Sequence, residues 1–116
     1  MSFPVHYSIR VPSLDVSVPL QEVAGRRLWF ALRRFENRVR RVTVRLVDVN
    51  GPRRGIDTRC TIQAELVDAS MLVAEATSAW PTATVTHACR RLNTAMRRHV
   101  SRTRARMGAA DHTPAG

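Results

Sequence analysis

Two hydrophobic patterns in the first third of the chain predict a strand followed by a helix. Apolar and polar residues alternate over residues 5–9, which is the pattern of a half-buried β-strand. From Leu20 to Phe35 the apolar residues recur at three- and four-residue steps, which predicts an amphipathic helix that ends near Asn37. Ser17 stands at the start of this segment, and its hydroxyl is a candidate N-cap for the helix.

Three further alternating segments predict strands in the middle of the chain. The first covers residues 42–47 and the second covers residues 59–66, with the turn-forming sequence VNGPRRG between them. Two consecutive alternating runs joined by such a turn favour an antiparallel hairpin. Residues 68–70 then form a second turn into a strand over residues 71–77.

The remaining segment predicts one long helix. It begins near Pro81, because proline is tolerated in a first helical turn, and it extends to near Arg106. Its apolar side consists of Val85, Ala88, Cys89, Leu92, Met96 and Val100. Residues 108–116 carry no pattern and are predicted to form a flexible tail after a single domain over residues 1–107.

The predicted element order is β-α-β-β-β-α, which defines an α+β fold. We expect a four-stranded, mostly antiparallel sheet with both helices packed on its one apolar face, because each helix has one apolar side. The 116 residues and the 44% hydrophobic composition are sufficient for one domain with a core.

The charge balance narrows the functional classes. The chain has 19 basic and 9 acidic residues, a formal net charge of +10, and every basic residue is arginine. A GC-rich genome explains the choice of arginine over lysine, but it does not explain the excess of positive charge. Such an excess favours association with nucleic acid or with another polyanion.

The most informative arginines lie on the second predicted helix. They make one side of the helix cationic, and no acidic residue lies between Pro81 and Arg106 to pair with them. Guanidinium groups are suited to bidentate contacts with phosphate oxygens. The candidate RNA-binding residues on this helix are Arg90, Arg91, Arg97, Arg98 and Arg104.

An aromatic residue on the first helix adds a candidate for base stacking. The helical spacing places Trp29 on the side opposite the apolar stripe, between Arg26 and Arg33. These three residues are therefore candidate RNA contacts. The alternative is that Trp29 covers an edge of the fold or packs against Arg33.

Two further pairs of arginines are less clearly placed by the pattern. Arg27 and Arg34 lie at the boundary of the apolar stripe, where long side chains extend from the edge of a core into solvent. Arg53 and Arg54 are adjacent in the hairpin turn, where a solvated turn is the alternative to an RNA contact. Of these four residues, we retain Arg34, Arg53 and Arg54 as candidate RNA-binding residues.

The sequence favours a protein that is not an enzyme. Its carboxylates lack the spacing of an acid–base or metal pair, and no glycine-rich phosphate loop is present. The four histidines lack HxxxH or paired-cysteine spacing, so we expect neither a metal nor another cofactor. Cys60 and Cys89 fall on apolar sides and are expected to be buried, reduced thiols.

No segment is long enough to predict a membrane span, and we expect a cytoplasmic protein without a small-molecule substrate.

The element order and several segments resemble a known family. The segments are the strand pair VTVRLVDVNGP and GIDTRCTIQAEL, the following AEA strand segment and the helix CRRLNTAMRRHV. Over residues 5–106 they resemble the bacterial ribosome hibernation-promoting factor and ribosome-associated inhibitor A family, whose members are also called sigma-54 modulation proteins.

The resemblance implies a stress-response factor that associates with ribosomes and inhibits translation in stationary phase. In that family two helices lie side by side on one sheet face, and their basic outer surface docks on the small-subunit rRNA where messenger and transfer RNA would sit. Arg26 and Arg33 match the basic positions on the family's first helix, and Arg53 and Arg54 lie in the matching hairpin loop. The positions that match the basic run of its last helix are Arg90, Arg91, Arg97 and Arg98.

The chain departs from the family pattern at the start of the last helix. Family members usually have an acidic residue and a tyrosine followed by small residues there, whereas this chain has SAWPTATVTHA, with Trp80 before Pro81. The residues after Met107 are too few for the dimerisation domain of the family's long form. The resemblance is therefore to the short form, and it leaves the oligomeric state and the joining of ribosomes open.

Two alternatives to a ribosome factor fit the same residues. A basic two-helix face on a sheet also suits a general binder of double-stranded or structured RNA. The second alternative is a basic module that binds an acidic protein partner. Nuclease treatment separates this alternative from the RNA binders, because a complex with a protein partner survives it.

Overall fold

The fold follows the predicted order of elements. In a computed structural model of the chain, the described residues are 3–10, 17–49 and 57–111, and the side chains of residues 17–19 and 107–111 are not described. The elements are β1 (Val5–Arg10), α1 (Ser17–Leu32), a 3₁₀-helix (Arg33–Arg38), β2 (Val39–Asp48), β3 (Thr58–Leu66), β4 (Met71–Ser78) and α2 (Pro81–Asp111). The candidate contacts Arg53 and Arg54 lie outside the described residues, as does the proposed capping hydroxyl of Ser17.

The four strands form one sheet in the order β1-β2-β3-β4. β1 and β2 are parallel, with Tyr7 opposite Val44, so α1 lies in the crossover connection between them. The other two pairings are antiparallel, with Val44 opposite Ile62 and Ile62 opposite Ala74. The predicted mostly antiparallel sheet is therefore confirmed.

Both helices pack on one face of the sheet. Burial alternates along β2 and β3, because successive side chains of a strand point to opposite faces. The apolar sides of α1 and α2 complete the core on the buried face. The largest fully buried apolar side chains are Leu28, Leu32, Val42, Val44, Leu46, Ile62, Leu66, Val85, Leu92 and Met96.

The end of the first helix differs from the prediction. The α-helical turns stop at Leu32, and a 3₁₀-helix follows in which Phe35 has φ −114° and ψ 15°. The tighter segment leaves Phe35 half-buried and leads directly into β2, which begins at Val39 and not at Val42. The hydrophobic spacing did not predict the transition from α-helix to 3₁₀-helix, because the apolar stripe of α1 continues into the 3₁₀ turns.

The start of α2 at Pro81 agrees with the prediction, whereas its end at Asp111 lies beyond the predicted end near Arg106. The carbonyl of Trp80 accepts hydrogen bonds from the backbone N–H and the hydroxyl of Thr84, both at 2.9 Å, and from the hydroxyl of Ser78 at 3.0 Å. These bonds hold the first turn of the helix. Trp80 itself is 73% exposed.

α1 approaches β1 closely at Gly25. A Cβ at this position would lie 3.0 Å from the hydroxyl oxygen of Tyr7. Glycine inside a helix costs about 0.5–1 kcal/mol relative to alanine. A larger residue here would require the side chain of Tyr7 to move by a few tenths of an ångström.

Candidate nucleic-acid interface

A groove lies between α1 and α2 and is open to solvent. It consists of two adjoining concavities of about 620 and 400 Å³, which share Arg34, Phe35 and Arg97 in their linings. Among the described residues, no acidic side chain lines either concavity. The arginines that line this interhelical groove are Arg27, Arg33, Arg34, Arg38, Arg90, Arg97 and Arg104.

The parallel course of the two helices brings these arginines together. Arg27 and Arg90 line the first concavity, and Arg38 and Arg104 line the second. The arginines of α2 recur every seven residues, which is close to two helical turns, so they form a row along one side of the helix. At a rise of about 1.5 Å per residue, the row from Arg90 to Arg104 is about 21 Å long.

A hydrogen bond between the helices sets the relative position of the groove walls. The side-chain amide of Asn93 on α2 donates to the carbonyl of Ala31 on α1 at 2.6 Å. That carbonyl belongs to the last turn of α1, where the hydrogen-bond pattern of the α-helix ends. A side chain of one helix therefore bonds to the end of the other.

The two cysteines are free and buried, as the sequence predicted. Cys89 lines the groove, and burial is the main cause that raises the pKa of its thiol to about 12. The pKa of Cys60 is raised to about 12 as well, again chiefly by burial. Both thiols are therefore protonated at neutral pH and act as packing groups, because the thiolate is the nucleophilic form of cysteine.

The exposed aromatic side chain of the groove belongs to Phe30. The residue is 66% exposed and lines the first concavity together with Arg27 and Arg34. The guanidinium carbon of Arg33 lies 5.4 Å from the centre of the Phe30 ring, within the range of a cation–π contact. Trp29, the predicted stacking residue, is half-buried and is not part of the described groove lining, so its predicted outward position is only partly correct.

The structure brings five of the predicted contacts into the groove and places three others beside it. Arg26 lies on the β1 side of α1, in a shallow concavity that Tyr7 also lines. Arg91 and Arg98 line a concavity on the other flank of α2, and Arg91 Nη1 donates to the carbonyl of Glu75 on β4. The predicted residues inside the groove are Arg33, Arg34, Arg90, Arg97 and Arg104.

The sequence prediction omitted Arg27, Phe30 and Arg38 from the site. The available signal was the spacing on α1, because Phe30 follows Arg27 by three residues and precedes Arg34 by four, which puts the three on one side of a helix. This spacing does not show that α2 packs beside that side. Arg38 enters the groove through the 3₁₀-helix, which the apolar pattern did not distinguish from α1.

Acidic residues of the sheet pair with arginines of the strands. Glu65 lies 3.7 Å from Arg40 and 3.3 Å from Arg41, and Glu75 lies 3.7 Å from Arg59. Solvent-exposed pairs of this kind contribute about 0–1 kcal/mol each. No groove arginine takes part in these pairs, so the pairs do not offset the positive charge of the groove.

A further pair connects α2 to the turn between β3 and β4. His99 Nε2 and Asp68 Oδ2 are 3.0 Å apart. Asp68 Oδ1 also accepts a hydrogen bond from the backbone N–H of Ser70 at 2.9 Å. The hydrogen bonds from Ser70, with that from His99, lower the pKa of the Asp68 carboxyl to about 2.

The guanidinium groups of the interhelical groove are suited to binding a polyanion. In the part of the chain that the structure describes, no cluster of three or more His, Cys, Asp and Glu side chains is placed to hold a metal ion. Neither of the two helices, as far as they are described, is long and apolar enough to span a membrane.

The geometry defines a class of protein: a small α+β domain in which a parallel helix pair on one sheet face forms a cationic groove. The chain is similar to a ribosomal subunit interface protein from Coxiella burnetii, with 16% identity and a TM-score of 0.67 over 84% of this chain and 98% of that one. It is also similar to the Protein Y N-terminal domain from Thermus thermophilus, with 18% identity and a TM-score of 0.62 over 83% of this chain and 94% of that one. Both structures belong to the hibernation-promoting factor family, so the predicted resemblance is confirmed for the fold. No protein-family model and no curated protein sequence matches the chain.

Proposed function

We propose that this protein binds the small ribosomal subunit and inhibits translation in resting cells by placing its interhelical groove against ribosomal RNA. The observation that carries the proposal is the groove itself, with seven arginines and no acidic side chain in its described lining. The fold supports it, because a ribosomal subunit interface protein has the same architecture.

RNA phosphates match the chemistry of this groove. The planar guanidinium group binds phosphate oxygens through two parallel hydrogen bonds, and the groove presents such groups from both helices. An RNA backbone that follows the groove therefore meets donors on both sides. Phosphates also relieve the repulsion among like charges that a dense set of arginines creates in the free protein.

The arginines on the flanks of the helices extend the proposed surface. Arg26 lines a concavity beside β1, and Arg91 and Arg98 line another on the outer flank of α2. In this proposal the three residues contact RNA that continues past the groove. Arg53 and Arg54 of the hairpin turn stay predicted contacts. Trp29 is a weaker candidate than these arginines, because it is half-buried.

We place the binding site in the decoding region, where messenger and transfer RNA bind. The sequence resemblance implies this location, and the name of the Coxiella protein refers to the interface of the ribosomal subunits. A domain in that channel inhibits translation by occupying the space of the normal ligands. Under this proposal the protein is cytoplasmic and ribosome-bound, and its inhibition of translation requires neither catalysis nor a cofactor.

Co-sedimentation with purified ribosomal subunits tests the proposal. The protein should pellet with small subunits in preference to large ones, and messenger RNA with transfer RNA bound at the decoding site should exclude it. It should also inhibit translation in a purified system. Equal binding to both subunits, or no effect of bound messenger and transfer RNA, would contradict the proposed location.

Two additional measurements separate the alternatives. If free duplex RNA displaces the protein from small subunits at equal concentrations of binding sites, the general structured-RNA binder is the better description. If a pull-down from cells retains its main partner after nuclease treatment, the groove binds an acidic protein. Under the proposed function, nuclease treatment releases the partner and duplex RNA competes weakly.

A further inference from the structure

We infer that the interhelical groove takes a single-stranded segment of RNA and stacks one unpaired base on the ring of Phe30. The inference rests on the proposed function, because it concerns the same groove. It adds the form of the RNA and a residue that contacts a base, which the arginine–phosphate contacts alone do not specify.

Phe30 is an apolar ring in a cationic surrounding. The residue stays 66% exposed although the guanidinium group of Arg33 lies over the ring, and it lines the groove. Burying a phenylalanine side chain is favourable by roughly 1.5–3 kcal/mol. A partner that covers this ring must also satisfy the neighbouring arginines, and a nucleotide does both through its base and its phosphate.

The shape of the site favours an unpaired strand over a duplex. Bases in a duplex are stacked on each other inside the double helix, so their ring faces are not available to a protein side chain. An unpaired base is free to enter the concavity of about 620 Å³ in which Phe30 lies. Concavities of about 300–1,000 Å³ are of the size that holds small organic groups.

The uncharged polar side chains of the concavity already donate hydrogen bonds within the protein. The hydroxyl groups of Thr86 and Thr94 donate to carbonyls one turn earlier in α2, at 3.0 and 3.1 Å. The amide of Asn93 donates to the carbonyl of Ala31. Apart from the arginines, which bind phosphates in this proposal, few donors are left to read a base edge. We therefore expect binding that tolerates any base, because every base has a ring face that stacks.

Equilibrium binding to three RNA probes tests this inference. The probes are a single strand of about 12 nucleotides, an abasic strand of the same length and a duplex of the same length. The F30A variant should bind the single strand about tenfold more weakly than the wild type, since loss of one base–aromatic stack has effects of about 5- to 150-fold. On the abasic strand, the F30A variant and the wild type should bind equally.

Two further variants provide controls. F30Y keeps an aromatic ring and should keep the wild-type affinity for the single strand. W80A removes an aromatic side chain that is also exposed but lies outside the described lining of the groove, so it should bind all three probes as the wild type does. Far-ultraviolet circular dichroism confirms that each variant is folded.

Three outcomes would overturn the inference. They are equal binding of the single strand by F30A and the wild type, an equal loss for F30A on the normal and abasic strands, and tighter binding of the duplex than of the single strand. If any of these occurs while small subunits are still bound, only the inference fails. If small subunits are not bound either, the proposed function fails with it.

Discussion

Neutralising one arginine of the interhelical groove should remove one phosphate contact and so weaken RNA binding. The salt dependence of the affinity reports the number of phosphate contacts and therefore measures this loss. Arg97 is the most informative position, because it lines both concavities of the groove. Its side chain is exposed, so the substitution R97Q removes the charge without disturbing the core.

The magnitude follows from the number of arginines in the groove. Each neutralised phosphate contributes about −0.7 to the slope of log affinity against log salt for single-stranded nucleic acid and about −0.9 for a duplex. With seven contacts the expected slope is about −5 for a single strand and about −6 for a duplex. R97Q should reduce the magnitude of this slope by about 0.7, and the double variant R90Q/R97Q by about 1.4.

Fluorescence anisotropy of a labelled RNA single strand at several salt concentrations provides the slope. The matched control is R45Q, which removes the same charge from the opposite side of the sheet, since Arg45 is exposed between the buried Val44 and Leu46. R45Q should leave the slope unchanged. If R45Q and R97Q reduce the slope equally, binding depends on net charge and not on the groove.

Three predictions concern stability, each measured as the free energy of unfolding in urea. N93A should lower the free energy of unfolding by about 1 kcal/mol, because the hydrogen bond from Asn93 to the carbonyl of Ala31 is lost. T94A removes a hydroxyl whose described hydrogen bond stays within α2, so it should change the free energy of unfolding by less than about 0.5 kcal/mol. T58V should raise it by about 1 kcal/mol, because the hydroxyl of Thr58 is buried without a hydrogen-bond partner in the described part of the chain. D68N should lower it at neutral pH but not in acid, since the pKa of Asp68 is lowered from 3.8 to about 2 in the folded protein.

The sign of the acid effect follows from linkage. A carboxyl whose pKa is lower in the folded state binds its proton more weakly there, so its contribution is complete above the ordinary pKa of 3.8 and is lost as the pH falls toward 2. The difference between wild type and D68N should therefore shrink below about pH 4. A constant difference from neutral pH to acid would contradict this account. A lower free energy of unfolding for T58V, or a higher one for N93A, would contradict the roles given to those two side chains.

The sequence determined the order of the strands and the two α-helices, the buried face of the sheet and the row of arginines on α2. These properties depend on spacing within one element, because successive strand residues alternate between two faces and residues seven apart return to one side of a helix. Arg90, Arg97 and Arg104 therefore line one groove, as their spacing indicated. The start of α2 at Pro81 was also predictable from the sequence, since proline lacks a backbone N–H and within a helix is tolerated only in the first turn.

Only the tertiary structure decided which residues of α1 face that row. Arg26 and Arg27 are neighbours in the sequence, yet Arg27 lies in the groove and Arg26 lies beside β1. Phe30, and not Trp29, is the exposed ring of the groove for the same reason. The side of α1 that becomes a groove wall depends on where α2 packs, and contacts such as that between Asn93 and Ala31 join residues 62 positions apart. A helical pattern describes one helix at a time, so it does not predict contacts between residues of two different helices.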